Sequence, residues 1–184
     1  MPSEIVYEIM VDWDMTDWAD APDFSEGIDN ISNDVAAVSW IRGEDREEGN
    51  SPASTLELKI VGSLYEKYSP FNAAGDLYGK LLPWRIVRIR SIHDGNTYNV
   101  FFGYISRIRI NPNPDNPEVY IYCTDGLDLL ARNLVKQDYS TRTTETDGAA
   151  VGELLDAAGW SATRRDIDVD GGDIFQYPAV TSPV

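Results

Sequence analysis

One cysteine and one histidine in 184 residues leave this chain short of the side chains that catalysis and metal binding most often use. The lone cysteine, Cys123, excludes an internal disulfide and fits folding in a reducing compartment. It alternates with tyrosines in VYIYC, the pattern of a small buried core thiol rather than a nucleophile. The lone histidine, His93, sits beside a turn, and its isolation removes most general acid–base and zinc arrangements. GxSxG, P-loop, CxxC and HExxH motifs are all absent. No apolar run approaches the roughly 20 residues that a membrane-spanning helix needs. The opening MPSEIVYEIM lacks the basic start and apolar stretch of a signal peptide.

Basic residues are scarce too: 15 against 31 acids, a net charge of −16. Such a surface repels a phosphate backbone, which argues against nucleic-acid binding as the main task. The imbalance is uneven. Residues 1–41 hold ten acids and no Lys or Arg, whereas 80–110 holds Lys80, Arg85, Arg88, Arg90, Arg107 and Arg109 against Asp94 alone. This division fits either an acidic edge beside a basic sheet in one monomer or head-to-tail complementarity between subunits. Asp12, Asp14, Asp17 and Asp20, with Arg85, Arg88, Arg90, Arg107 and Arg109, are the candidate inter-subunit residues.

What is present is β structure. The hydrophobic fraction of 42% supports a core, and the length bounds the chain to one domain, with or without a small appendage. Alternation marks strands at 4–12, 35–42, 55–61 and 85–92. His93-Asp94-Gly95-Asn96 supplies turn chemistry for a hairpin into a long strand at 97–110. There Tyr98, Val100, Phe102, Tyr104, Ile108 and Ile110 are expected on one face, and Gly103 marks a bulge or bend. Between Trp13 and Asn30 the pattern dissolves into a loop that Trp13, Trp18 and Phe24 are placed to pin. The run 111–117 carries three prolines and reads as a loop. After a strand at 119–123, Thr124 or Asp125 caps a helix over about 126–135. A second helix is expected at 148–158, with Asp147 as cap and Gly159 as stop. The expected fold is mainly β, a barrel or sandwich with two short α-helices.

Candidate sites are weak. D-I-D-V-D-G at 166–171 matches the opening of a calcium loop, but the twelfth position is Tyr177 where a bidentate Glu is required. The acids of the 12–23 loop lack the glycine turn of a cation site, and a solvated loop is the better reading. Paired acids for glycan cleavage carry almost no information among 31 acids. No catalytic, cofactor or metal residue is assigned. An alternative is a β-sandwich module binding carbohydrate or a host-surface ligand, with Trp13, Trp18, Trp40 and Trp84 as stacking platforms.

The order of segments resembles the N-terminal half of tail-tip, or baseplate hub, proteins of tailed bacteriophages and related particles. The series is IMVDWDMTDWAD, ISNDVAAVSWIRG, STLELKIVGSLYEKYSPFN, LLPWRIVRIR, FFGYISRIRI and YIYCTDGLDLLAR, then VGELLDAAGWSATRRDIDVD. It covers about residues 1–175. The family usually has a glycine after the proline corresponding to Pro83, where this chain has Trp84. Its members normally continue into a second half that completes a two-barrel hub. The resemblance implies a hub domain over 1–124, and a helical segment with the start of a second sub-domain over 125–184. It further implies a non-enzymatic virion protein made in the bacterial cytoplasm, forming a ring, commonly a trimer. Its partners would be tail-tube, distal-tail and fibre proteins, and DNA would pass a negative lumen without specific binding.

Overall fold

The computed structural model describes residues 5–15, 20–42, 53–113, 115–132, 145–160 and 174–175. The chain divides into two units, Met1–Asp128 and Leu129–Val184. In the first, six strands form one antiparallel sheet: β1 (Val6–Asp12), β2 (Val35–Ile41), β3 (Thr55–Val61), β4 (Ile86–His93), β5 (Asn96–Asn111) and β6 (Glu118–Asp125). Their order across the sheet is β1-β4-β5-β6-β3-β2. The fold is mainly β, as expected, with two short helices, α1 (Gly126–Arg132) and α2 (Asp147–Ala157).

The sheet curls because its two ends are tied together. The segment leading into β2 bonds to the free edge of β1: Val11 N–H donates to the Asp29 carbonyl at 2.9 Å, and Ile31 N–H to the Ile9 carbonyl at 2.9 Å. Met10 and Asn30 form the bridge between them. The result is a half-barrel with the core on its concave face. Side chains paired across strands share a face, and the register builds apolar rows such as Ile108–Ile121–Leu58–Val38 and Ile110–Val119–Ile60–Val35. Ile9, Val11, Val87, Ile89 and Phe101 complete the core from the other side. Trp13 is fully buried in it, with its indole N–H donating to the Ile28 carbonyl at 3.2 Å. Tyr68 and Leu77 bring the loop that begins with a 3-10 turn at Gly62–Glu66 onto the same core.

Two bulges alter the expected facing of β5. The register slips between Ile89 and Arg90 against β4, and between Ile105 and Arg107 against β6. Phe101 therefore faces inward opposite Ile89, while Phe102 pairs with Arg88 on the outer face, so the single-face reading of this strand is corrected. Gly103 is not itself at a slip. It lies where a Cβ would come within 2.1 Å of the Thr124 carbonyl oxygen. The β4–β5 turn forms as the sequence implied, with Asp94 at φ 50° and Gly95 at φ 76°.

Asp125, not Thr124, caps α1: its carboxylate accepts from Leu127 N–H at 3.0 Å and from Ser54 N–H at 2.8 Å. In the second unit, Thr146 rather than Asp147 caps α2, its hydroxyl accepting from Ala149 N–H at 3.2 Å. Gly159, at φ 71°, follows the helix end in the left-handed region. Glu145–Thr146 pairs with Ile174–Phe175 as a two-residue ladder, β7 with β8.

Candidate functional site

The charge division between 1–41 and 80–110 is largely spent within the fold. Asp12 is buried and accepts three backbone N–H bonds, from Asp14 at 3.2 Å, Met15 at 2.9 Å and Asp23 at 2.9 Å. It staples the loop after β1. Asp14 accepts from Lys80 Nζ at 2.6 Å, and that bond raises the lysine pKa. Arg90 Nε donates to Glu8 at 2.7 Å, a pair set directly opposite in the β1–β4 register. Arg85 is buried, with Nε donating to the Lys80 carbonyl at 3.1 Å. Arg88 lies over the Phe24 ring at 4.1 Å, and its Nε is buried with no acceptor among the described residues. Desolvation, then neighbouring Arg90, lowers its pKa against the opposing pull of Glu8.

Asp20 is exposed, and Asp17 lies outside the described residues. Arg107 and Arg109 are exposed on the outer face of β5, and Arg107 lies 4.3 Å over the Tyr122 ring. No ion pair engages either arginine among the described residues. The structure thus separates the candidate arginines into three consumed by the fold and two available on its surface.

Sequence reasoning did not single out the edge strand β2. It carries no charge, pairs among the described residues only with β3, and has five of its seven residues exposed. Trp40 and Ile41 expose 42% and 68% of their surface. Beside it, Ile5, Val6 and Tyr7 are about half exposed, and the Tyr7 and Trp40 rings stand 6.4 Å apart. Trp40 shares the concave-face row of Ile105, Cys123 and Leu56, while Tyr7 shares the face of Ile9 and Val11. The half-barrel is therefore tied at one end, by residues 29–31, and open between β1 and β2 at the other. Edge strands are usually blunted by charge, proline or a covering segment; β2 itself carries neither charge nor proline. The uncharged run VAAVSWI ahead of Arg42 was the available signal.

Of the tryptophans considered from sequence as stacking platforms, Trp40 and Trp84 are exposed. Trp13 is core. Trp84 stacks on Tyr104 with centroids 4.6 Å apart and interplanar angle 13°. Trp84 also holds φ 73°, a left-handed conformation that glycine adopts without cost and other residues resist. Its stacking on Tyr104 offsets that strain. Trp18 and the 166–171 run lie outside the described residues, and His93 is partly exposed beside its turn. Cys123 is buried, which pushes its thiol pKa up and keeps it un-ionised. Among the described residues no group of three or more His, Cys, Asp or Glu is placed to hold a metal ion. No described helix is long and apolar enough to cross a membrane.

No family model matches this chain, and no curated protein matches it.

Proposed function

We propose that this chain is a structural component of a phage or phage-like tail tip or baseplate hub. In this reading it acts without catalysis, as one subunit of a ring, a homotrimer, that joins the tail tube to the tip. The observation that carries the proposal is the open edge: an uncharged, doubly exposed β2 beside the apolar opening formed by Ile5, Tyr7 and Trp40. Strands left so bare are templates for pairing with another chain. The ordered segments described from sequence support the same assignment, and distal-tail, tube and fibre proteins are the partners it implies. Arg107 and Arg109 remain as surface cations for such contacts.

Immunogold electron microscopy of particles from the source that makes this chain tests the proposal. Gold confined to the tail tip is expected. Gold on the head, along fibres or absent from particles overturns it.

A further inference from the structure

The outer face of the half-barrel carries a depression of about 420 Å³, lined from four strands by Ser39, Ile41, Thr55, Glu57, Arg107 and Tyr122 among others. Such a volume lies within the range of small-ligand sites. The register explains its shape. Arg107 lies opposite Tyr122, Tyr122 opposite Glu57, and Glu57 opposite Ser39, so these four form one row perpendicular to the strands. Beside it runs a row of Thr124, Thr55 and Ile41. The floor is low because hydroxyl-bearing Thr124, Thr55 and Ser39 stand where larger side chains would fill it. The β5 bulge leaves Ser106 as the extra residue, with its hydroxyl donating to the Tyr122 carbonyl at 3.0 Å.

The charges select the ligand. Glu57 has no partner among the described residues, and Arg107 has only the face of Tyr122. Adjacent strands lie about 4.8 Å apart, so these opposite charges stand across the depression at roughly 10 Å. An anion would be drawn to Arg107 but repelled by Glu57 and by the net charge of −16; a cation would be drawn to Glu57 and the net charge but repelled by Arg107 beside it. A neutral ligand bearing several hydroxyls meets neither penalty. It accepts from the guanidinium, donates to the carboxylate, and exchanges hydrogen bonds with Ser39 and Thr55. Ile41 offers an apolar wall for the C–H face of a sugar ring.

We infer that this depression is a binding site for a neutral saccharide, with Arg107 and Glu57 gripping ring hydroxyls from opposite sides. The site faces away from the Tyr7–Trp40 opening, and its test is made on the isolated chain, where no partner competes for Arg107 or Ile41. The test is amide chemical-shift titration of the full chain with cellobiose, maltose, lactose and N,N′-diacetylchitobiose, and with glucuronate and glucosamine as charged controls. The neutral sugars are expected to give saturable shifts confined to residues 39–41, 55–57, 106–107 and 122–124, with a Kd of about 1 mM for the best of them. Glu57→Gln and Arg107→Gln should each weaken binding by about tenfold or more, as loss of a hydrogen bond to a charged group implies. Neither side chain makes an ion pair among the described residues, so unchanged thermal unfolding verifies that each variant folds. Absence of saturable shifts with all four neutral sugars up to about 50 mM, fifty times that Kd, overturns the inference. So does unaltered affinity in both variants, or tighter binding of glucuronate than of the neutral sugars.

Discussion

Gly103→Ala is the substitution that most sharply probes how the sheet is packed. On propensity alone, replacing a strand-interior glycine by alanine should stabilise by about 0.5–1 kcal/mol, because glycine loses more freedom on folding. The structure reverses the sign. An added Cβ would stand 2.1 Å from the Thr124 carbonyl oxygen, 2.8 Å from its carbon and 2.8 Å from Cζ of Phe101. Two of those three atoms are backbone, held where β6 turns through Asp125 into α1, so no side-chain rotation relieves the clash. The strand must move. Overpacking costs about 1–3 kcal/mol when side chains can adjust, and more when backbone shifts. We therefore expect about 3 kcal/mol or more, a fall in Tm of roughly 6–12 °C for a chain of this size. Urea unfolding followed by far-ultraviolet circular dichroism reads the free energy directly. Gly27→Ala serves as control, since a Cβ there meets nothing within 4 Å. A Gly103→Ala variant within about 0.5 kcal/mol of wild type, in the ordinary surface range, would refute the close-approach account.

Three further outcomes follow from the same geometry. Asp12→Ala should destabilise by about 3 kcal/mol in chemical denaturation, because it strands three backbone donors that the buried carboxylate satisfies, and Asp12→Asn should recover part of that loss. Tyr68 donates to Asp34 at 2.7 Å, and burial, then that carboxylate, raises its phenol pKa. Its contribution is thus present in full below the unfolded tyrosine pKa of about 10 and lost as pH rises above it. Tyr68→Phe should cost about 1.5 kcal/mol at pH 7 and show a shallower alkaline fall in Tm than wild type. At Trp84, alanine would keep the left-handed strain while losing the Tyr104 stack, whereas glycine loses the stack but sheds the strain. Trp84→Gly should therefore be about 1 kcal/mol more stable than Trp84→Ala in paired thermal scans, the reverse of the usual ranking.

What the sequence disclosed depended on range. Leu56, Leu58 and Ile60 alternate with Glu57 and Lys59, and that local pattern located β3 and its buried face. His93-Asp94-Gly95-Asn96 located the β4–β5 turn because its conformation is set by its own residues. The facing of β5 was not legible, since each bulge inserts one residue against a partner strand fixed elsewhere in the chain. The same holds for the candidate arginines. Their abundance was visible, but the Phe24 ring under Arg88 lies 64 positions away and Glu8 beside Arg90 lies 82 away. Spacing along the chain does not report such partners. Trp13 was placed from sequence to pin its loop, and it does so from within the core, but the means was not legible: the Asp12 staple turns the chain so that the indole enters.

These internal pairings also change what would drive the proposed association. If 1–41 and 80–110 were complementary between subunits, Glu8 and Arg90, or Asp14 and Lys80, would stand apart in the monomer. Instead they are joined at 2.7 Å and 2.6 Å, and exchanging them for equivalent pairs across an interface gains little, since ion pairs near the surface are worth about 0–1 kcal/mol each. The unspent free energy lies elsewhere. β2 has backbone donors and acceptors on its outer edge, and Tyr7, Trp40 and Ile41 hold apolar surface against water. Burying that surface gains about 25 cal/mol per Å², and a paired edge satisfies backbone groups already committed to extended geometry. The acidic surface then has a second role. At a net charge of −16 it opposes indiscriminate contact between copies, so that in the proposed ring the bare edge would be left to a strand that fits it.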